Sequence, residues 1–212
     1  MRAQRQEAFR VVRQAAAVCL GYPERHVVAT SGLVRAALAE KAQRQAEAFE
    51  PLLTYWESSD LGAIQTHYVD VFDLSRKHSL YLSYWTDGDT RRRGEVLAAF
   101  KQRYRRSEFL VDTRGELPDY LPMVLEYAAI VDPVDGTALL QEYRSSVELL
   151  RLALAERGTP YAGVVAAVCS TLPGPSPADR KAVMAMAAAG PPTETVGLEP
   201  PGSRLLSMGG SR

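Results

Sequence analysis

The chain has 212 residues, with 25 Lys and Arg against 25 Asp and Glu, zero formal net charge and 46% hydrophobic residues. This length suits one domain with or without a tail, and a chain of this size can bury about 70% of its unfolded surface. Balanced charge argues against a dedicated nucleic-acid binder, whose footprint is basic, and no apolar run approaches the ~18 residues of a membrane-spanning helix.

Apolar spacing of three and four residues predicts helices almost throughout. Gln4 to Leu20 carries Phe9, Val12, Ala16, Cys19 and Leu20 on one stripe, stopped by Gly21 and Pro23. The charged start, Met1-Arg-Ala-Gln, does not read as a secretory signal. A second helix is predicted over Glu24 to Ala39, and a third over Ala42 to Glu57 that Pro51 should kink or split. After capping candidates at Ser58-Ser59-Asp60, a fourth stripe runs through Ile64, Tyr68, Val71 and Phe72.

Asp73 to Asp89 breaks the pattern. Leu80 to Trp85 would suit a strand, but no second β-rich run is evident to pair with it, and a lone strand is unstable. It is read as an ordered aromatic loop. Helices follow over Thr90 to Ser107, from Pro118 to about Val131, over Gly136 to Arg157, and over Tyr161 to Thr171. Beyond Leu172 proline recurs among glycine and serine. Residues 178–189 offer one weak Ala-rich helix, and 190–212 lack the apolar surface to fold. The expected fold is all-α: one compact domain of about eight helices over 1–172, with a Pro/Gly-rich tail over 173–212. Alternating βαβ units are absent, which excludes Rossmann and barrel folds.

Catalytic signatures are missing. There is no His-x3-His, HExxH, CxxC, GxGxxG, phosphate-binding loop or Gly-x-Ser-x-Gly. Cys19 and Cys169 sit in apolar patterns and read as buried thiols of a reduced, cytoplasmic protein. Neither an enzyme activity nor a cofactor or metal is expected. Aromatic residues interleaved with acids stand out instead: Tyr68, Phe72, Asp73, Tyr81, Tyr84 and Trp85, then Asp119, Tyr120, Glu126 and Tyr127. Tyrosine combines apolar area with a polar tip, which suits a peptide-binding groove as well as a core. Arg91 and Arg93 read as a solvated face or a basic rim.

These same residues carry a family resemblance. Tyr68-Val-Asp-Val-Phe72-Asp73, Leu80-Tyr81-Leu82-Ser-Tyr84 and Gly88-Asp89-x-Arg91-x-Arg93-Gly94 follow the NarJ pattern in order. Glu116-Leu117-Pro118-Asp119-Tyr120-Leu121-Pro122 and the early Leu20-Gly-Tyr22-Pro23 fit it too. The chain thus resembles the NarJ family, the nitrate reductase delta subunits or molybdenum cofactor assembly chaperones, within the TorD-like group, over about Phe9 to Leu172. Where many TorD-like proteins carry histidine after the Pro-Asp pair, this chain has Tyr120, which fits the nitrate reductase branch.

The resemblance implies a non-catalytic chaperone. Its partner would be the N-terminal segment of the apo α subunit of nitrate reductase, held while molybdenum cofactor and iron–sulfur cluster are inserted, before membrane docking. The expected client site has Tyr68, Phe72, Tyr81, Tyr84, Tyr120 and Met123 as apolar anchors. Asp73, Asp119 and Glu126 would meet basic residues of the client. Both monomer and dimer remain open. The alternative reading is a holdase, or a chaperone for another molybdoenzyme.

Overall fold

The computed structural model describes residues 2–87, 91–107 and 115–189. Its elements are all helical. They are α1 (Arg2–Leu20), α2 (Arg25–Val28), α3 (Ser31–Lys41), α4 (Gln43–Ser58), α5 (Leu61–Tyr68), α6 (Tyr84–Asp87), α7 (Arg91–Arg106), α8 (Leu121–Glu126), α9 (Pro133–Glu142), α10 (Arg144–Arg157), α11 (Tyr161–Ser170) and α12 (Arg180–Ala189). Five-residue π segments extend α5 through Val69–Asp73 and α8 through Tyr127–Val131, and a 3-10 turn spans Arg76–His78.

The twelve helices arise from the expected eight by local breaks. Thr30 donates its hydroxyl to the Val27 carbonyl at 2.7 Å, which ends α2 and lets α3 start at Ser31. The long helix expected over 136–157 is divided at Tyr143, so that α9 packs on the second π segment while α10 packs on α11. α4, by contrast, runs unbroken through Pro51, which lies on its exposed side. Asp60 caps α5 by accepting from the Ala63 N–H at 2.9 Å, and Gly158 closes α10 with a left-handed φ of 71°. α12 docks on α10 through the fully buried Val183. The disorder expected over 190–212 falls outside the described residues.

Two expectations near the aromatic loop are corrected. Pro118 does not open a helix: α8 starts at Leu121, and the Pro118 carbonyl accepts the Tyr104 hydroxyl at 2.7 Å. The loop also has a pairing partner. The Leu82 N–H donates to the Asp119 carbonyl at 3.0 Å, and the Leu121 N–H donates to the Leu80 carbonyl at 2.8 Å. This single antiparallel bridge between Tyr81 and Tyr120 uses backbone groups that a helix would have consumed.

α1 runs through the centre, packed against α3, α8 and α11, with Val12, Ala16, Cys19 and Leu20 fully buried. Arg13 is buried on the same helix with no carboxylate paired to it among the described residues. Its guanidinium donates to Thr137 Oγ1 at 2.6 Å and to Thr171 Oγ1 at 3.3 Å, tying α1 to α9 and to the end of α11. Burial brings its pKa down to about 10. α4 and α11 pack tightly where Gly163 faces Ala48: a Cβ built on Gly163 would lie 2.0 Å from the Ala48 carbonyl oxygen. Gly136 faces Ala128 in the same way, at 2.3 Å from its Cα.

These contacts set a stability prediction. Gly163→Ala should lower the unfolding free energy by about 1–3 kcal/mol through overpacking. Gly94→Ala, in α7 with nothing within 4 Å of the new methyl, should raise it by about 0.5–1 kcal/mol. Urea unfolding of both variants checks the pair.

Candidate functional site

The first π segment and the aromatic loop form one side of an open cleft of about 490 Å³. The π turn carries Phe72 inward and Asp73 to the cleft wall. His78, buried on the 3-10 turn, donates from Nδ1 to the Val71 carbonyl at 3.0 Å and so pins that turn to the π segment. The opposite wall comes from Glu116, Leu117 and Tyr120, held in place by the Tyr81–Tyr120 bridge. Tyr22, just after α1, closes a third side.

Aromatic rings are the commonest element of the lining. Tyr68 lies edge-on to Tyr22, with ring centres 5.4 Å apart, and against Phe72 at 4.9 Å. Phe72 meets Tyr161 of the core at 4.9 Å, and Tyr81 meets Tyr120 at 5.5 Å. The Tyr68 hydroxyl donates to the Leu20 carbonyl at 3.0 Å. Its single proton being used there, the 3.1 Å contact with Tyr120 has Tyr120 as donor. Burial raises the pKa values of both hydroxyls, that of Tyr120 to about 12, so both stay protonated at neutral pH. The Tyr81 hydroxyl donates to Glu116 at 2.5 Å.

The three acids expected at the site are placed in three different ways. Asp73 lines the cleft, and its carboxyl is held above the ordinary range by desolvation and by the nearby Glu116 charge. Asp119 is fully buried instead. Its Oδ2 accepts from the Ser83 N–H at 3.0 Å and from the Ser83 hydroxyl at 2.6 Å. It is a structural anchor for the loop and does not face a ligand. Glu126 is exposed at the end of α8, and Met123 packs half-buried against the core; neither lines the cleft.

Arg93 does reach it. Its guanidinium lies over the rings of Tyr81 and Tyr84, 5.8 and 5.9 Å from their centres, donates to Ser83 Oγ at 3.3 Å and approaches Asp119 at 3.9 Å. The side chain of Arg91 falls outside the described residues. The lining also takes in Tyr22, Ser75, Arg76, Ser79, Leu80, Glu116 and Leu117, none of which is an expected site residue. Tyr22 and Glu116 had a signal, since both stand in the quoted family motifs; Arg76 had none. No group of three or more His, Cys, Asp or Glu suited to a metal exists among the described residues, and no helix there is long and apolar enough to cross a membrane.

A family model described as nitrate reductase delta subunit matches residues 35–167, which supply nearly all of the cleft. The chain belongs to that family. Among curated proteins, it is 33% identical over 156 residues to a probable nitrate reductase molybdenum cofactor assembly chaperone NarJ of Bacillus subtilis, covering 72% of this chain and 83% of that one. It is 44% identical over 161 residues to the nitrate reductase-like protein NarX of Mycobacterium tuberculosis, covering 76% of this chain but only 24% of that longer protein. NarJ of Escherichia coli is 32% identical over 98 residues, 46% of this chain and 41% of that one. In fold, the chain matches the crystal structure of a putative redox enzyme maturation protein from Archaeoglobus fulgidus, with a TM-score of 0.58 at 18% identity over 76% of this chain and 91% of that one. The delta subunit family, read from the motifs, is therefore the chain's own, and the all-helical fold agrees with it.

Two predictions follow from this geometry. Asp119→Ala should cost about 2–3 kcal/mol of stability, because it strips the buried Ser83 N–H of its acceptor; calorimetric unfolding measures it. Glu116→Gln should lower the pKa of Asp73 toward the ordinary carboxylate range without fully restoring it, since desolvation remains; carboxyl NMR titration reads that shift directly.

Proposed function

We propose that the protein is a dedicated chaperone for the catalytic α subunit of a respiratory nitrate reductase. It holds the N-terminal segment of the apo subunit while molybdenum cofactor and an iron–sulfur cluster are inserted, and it releases the subunit before docking on the membrane anchor. It is not retained in the finished enzyme and performs no catalysis itself. In this reading residues 1–172 are the chaperone domain and 173–212 an appendage.

One observation carries the proposal: an open, tyrosine-walled cleft with an apolar rim, built almost wholly from the family-matching segment. Tyr22, 44% exposed, and Leu117, 39%, line the cleft, and Leu74, 77% exposed, lies in sequence between its lining residues Asp73 and Ser75, so large apolar groups there stand in water. Apolar groups so placed gain from being covered by an amphipathic helix. Tyr68, Phe72, Tyr81, Tyr84 and Tyr120 are the anchors in this reading. The names of the Bacillus and Escherichia relatives, which are molybdenum cofactor assembly chaperones, point to the same client.

Calorimetric titration with a peptide of about the first 20 residues of the cognate α subunit tests the reading, beside a scrambled control. The true peptide should bind at micromolar Kd or tighter, ~−8 kcal/mol, and the control should not. Tyr84→Ala, tested in a folded sample, should weaken that binding about tenfold or more. Absence of binding by the folded wild type rejects this segment as the client.

A further inference from the structure

α7 holds a concentration of charge that the cleft does not use. It carries seven Arg and Lys against the single Glu95, while the whole chain has zero net charge, so the rest of the chain is negative by six. Two of the seven serve the fold. Arg93 approaches Asp119 at 3.9 Å, and Arg103 meets Asp135 at 2.8 Å and Glu142 at 2.9 Å. Lys101, Arg105 and Arg106 are exposed and form no ion pair among the described residues, and Arg92 is exposed as well. From Arg92 to Arg106 the helix runs about 21 Å. Helix stability does not account for this pattern. Cations suit the last turn, where Arg103, Arg105 and Arg106 stand, but the first turn has no acid and carries Arg91, Arg92 and Arg93 against the helix dipole.

A partner for this face must be anionic and must bind by charge more than by shape. None of the exposed large apolar side chains lies on α7, and Ala98, Ala99 and Gln102 stand exposed among its outward cations. A recess of about 420 Å³ at its C-terminal end is lined by Gln102, Arg106, Tyr127 and Asp135 among others, and that aspartate is already held by Arg103 and Tyr127. A folded protein partner would find no apolar anchor of the kind that carries most interface energy. Zero net charge disfavours a nucleic acid, whose binders are basic overall. A bilayer with anionic headgroups needs neither an anchor nor a basic protein. One local cluster of Lys and Arg suffices, because its surface potential decays within about 8 Å at physiological salt and acids elsewhere on the molecule are screened from it. We propose that α7 is a docking face for an anionic membrane surface, with Lys101, Arg105 and Arg106 against the headgroups. This face goes beyond the client reading and does not depend on it. Arg93 of the same helix lines the cleft, so a segment held there would be presented beside the bilayer. With few cations in contact and no apolar insertion, the association is weak, reversible and salt-sensitive.

Co-sedimentation of the full chain with vesicles tests the face. The vesicles are phosphatidylcholine alone, or phosphatidylcholine with an equal part of phosphatidylglycerol. At 50 mM salt the wild type should partition onto the anionic vesicles at least about tenfold more than onto the neutral ones, and 300 mM salt should abolish the difference. The triple variant Lys101→Gln/Arg105→Gln/Arg106→Gln should lose about tenfold of that partitioning. All three side chains are exposed, so its thermal unfolding should stay close to that of the wild type. A control triple, Arg25→Gln/Arg44→Gln/Lys181→Gln, removes the same charge from exposed positions on three other helices and should bind as the wild type does. Wild type that shows no preference for anionic vesicles overturns the face. So does a folded α7 triple that still binds, or an equal loss in both triples, which would make the effect one of net charge alone. Retention on a 20-base-pair duplex at the same salt that exceeds vesicle binding, and is lost in the α7 triple, gives the helix to nucleic acid and also overturns the membrane assignment. The vesicles carry no client, so failure here leaves the client reading as it stands, and failure of the peptide titration leaves this face as it stands.

Discussion

The buried carboxylate of Asp119 is the constraint on which the cleft depends. An ion with no exposed surface is costly to desolvate, and here the cost is offset by the Ser83 N–H, the Ser83 hydroxyl and the approach of Arg93. Those partners come from the aromatic loop and from α7, while Asp119 itself lies in the turn before α8. One side chain thereby fixes three segments that have little regular structure between them. The adjoining bridge sets the loop's register, so Tyr81 and Tyr120 stand opposite each other with their rings tilted by 40°. A hydrophobic residue at 119 would be compatible with burial but would leave Ser83 and Arg93 without a common partner.

Behind the cleft the packing is tight enough to make it a stiff receptacle. The approach of Gly163 to Ala48 brings α11 onto α4, and α11 supplies Tyr161, on which Phe72 rests. Tyr68 is hydrogen-bonded to the last residue of α1. The aromatic wall is thus continuous with the core: the side chains offered to a ligand are the outer edge of a stack whose inner members are fully buried. In the proposed reading, a wall anchored in the core would leave most of the ordering cost to the incoming segment.

The sequence made the helices legible where one face is apolar and the ends are marked, as in α1 and α11. It failed where helix breaks are set by tertiary partners. Nothing local to Tyr143 announces the division between α9 and α10; it follows from two different packing surfaces on either side. Pro118 looked like a helix start, but the backbone beyond it is taken by the bridge to Leu80 and Leu82. At the site, the aromatic positions were readable because tyrosines alternate with acids in motif order. The roles of the acids were not readable. Asp73, Asp119 and Glu126 are chemically alike in sequence, yet one lines the cleft, one is sealed inside and one points away. Only burial and hydrogen-bond partners separate them.

The two π segments carry a further consequence. Each closes with a bond five residues back, from the Leu74 N–H to the Val69 carbonyl and from the Asp132 N–H to the Tyr127 carbonyl. Each is in effect an α-turn with one residue added. The added residue is taken up by widening the turn, so the segments on either side keep their faces. Removing one residue from Val69–Asp73 would restore an ordinary turn and take one side chain out of the stretch that carries Phe72 and Asp73 to the cleft. The wide turn thus adds a lining position without turning the aromatic loop away, and chain length there matters alongside residue identity.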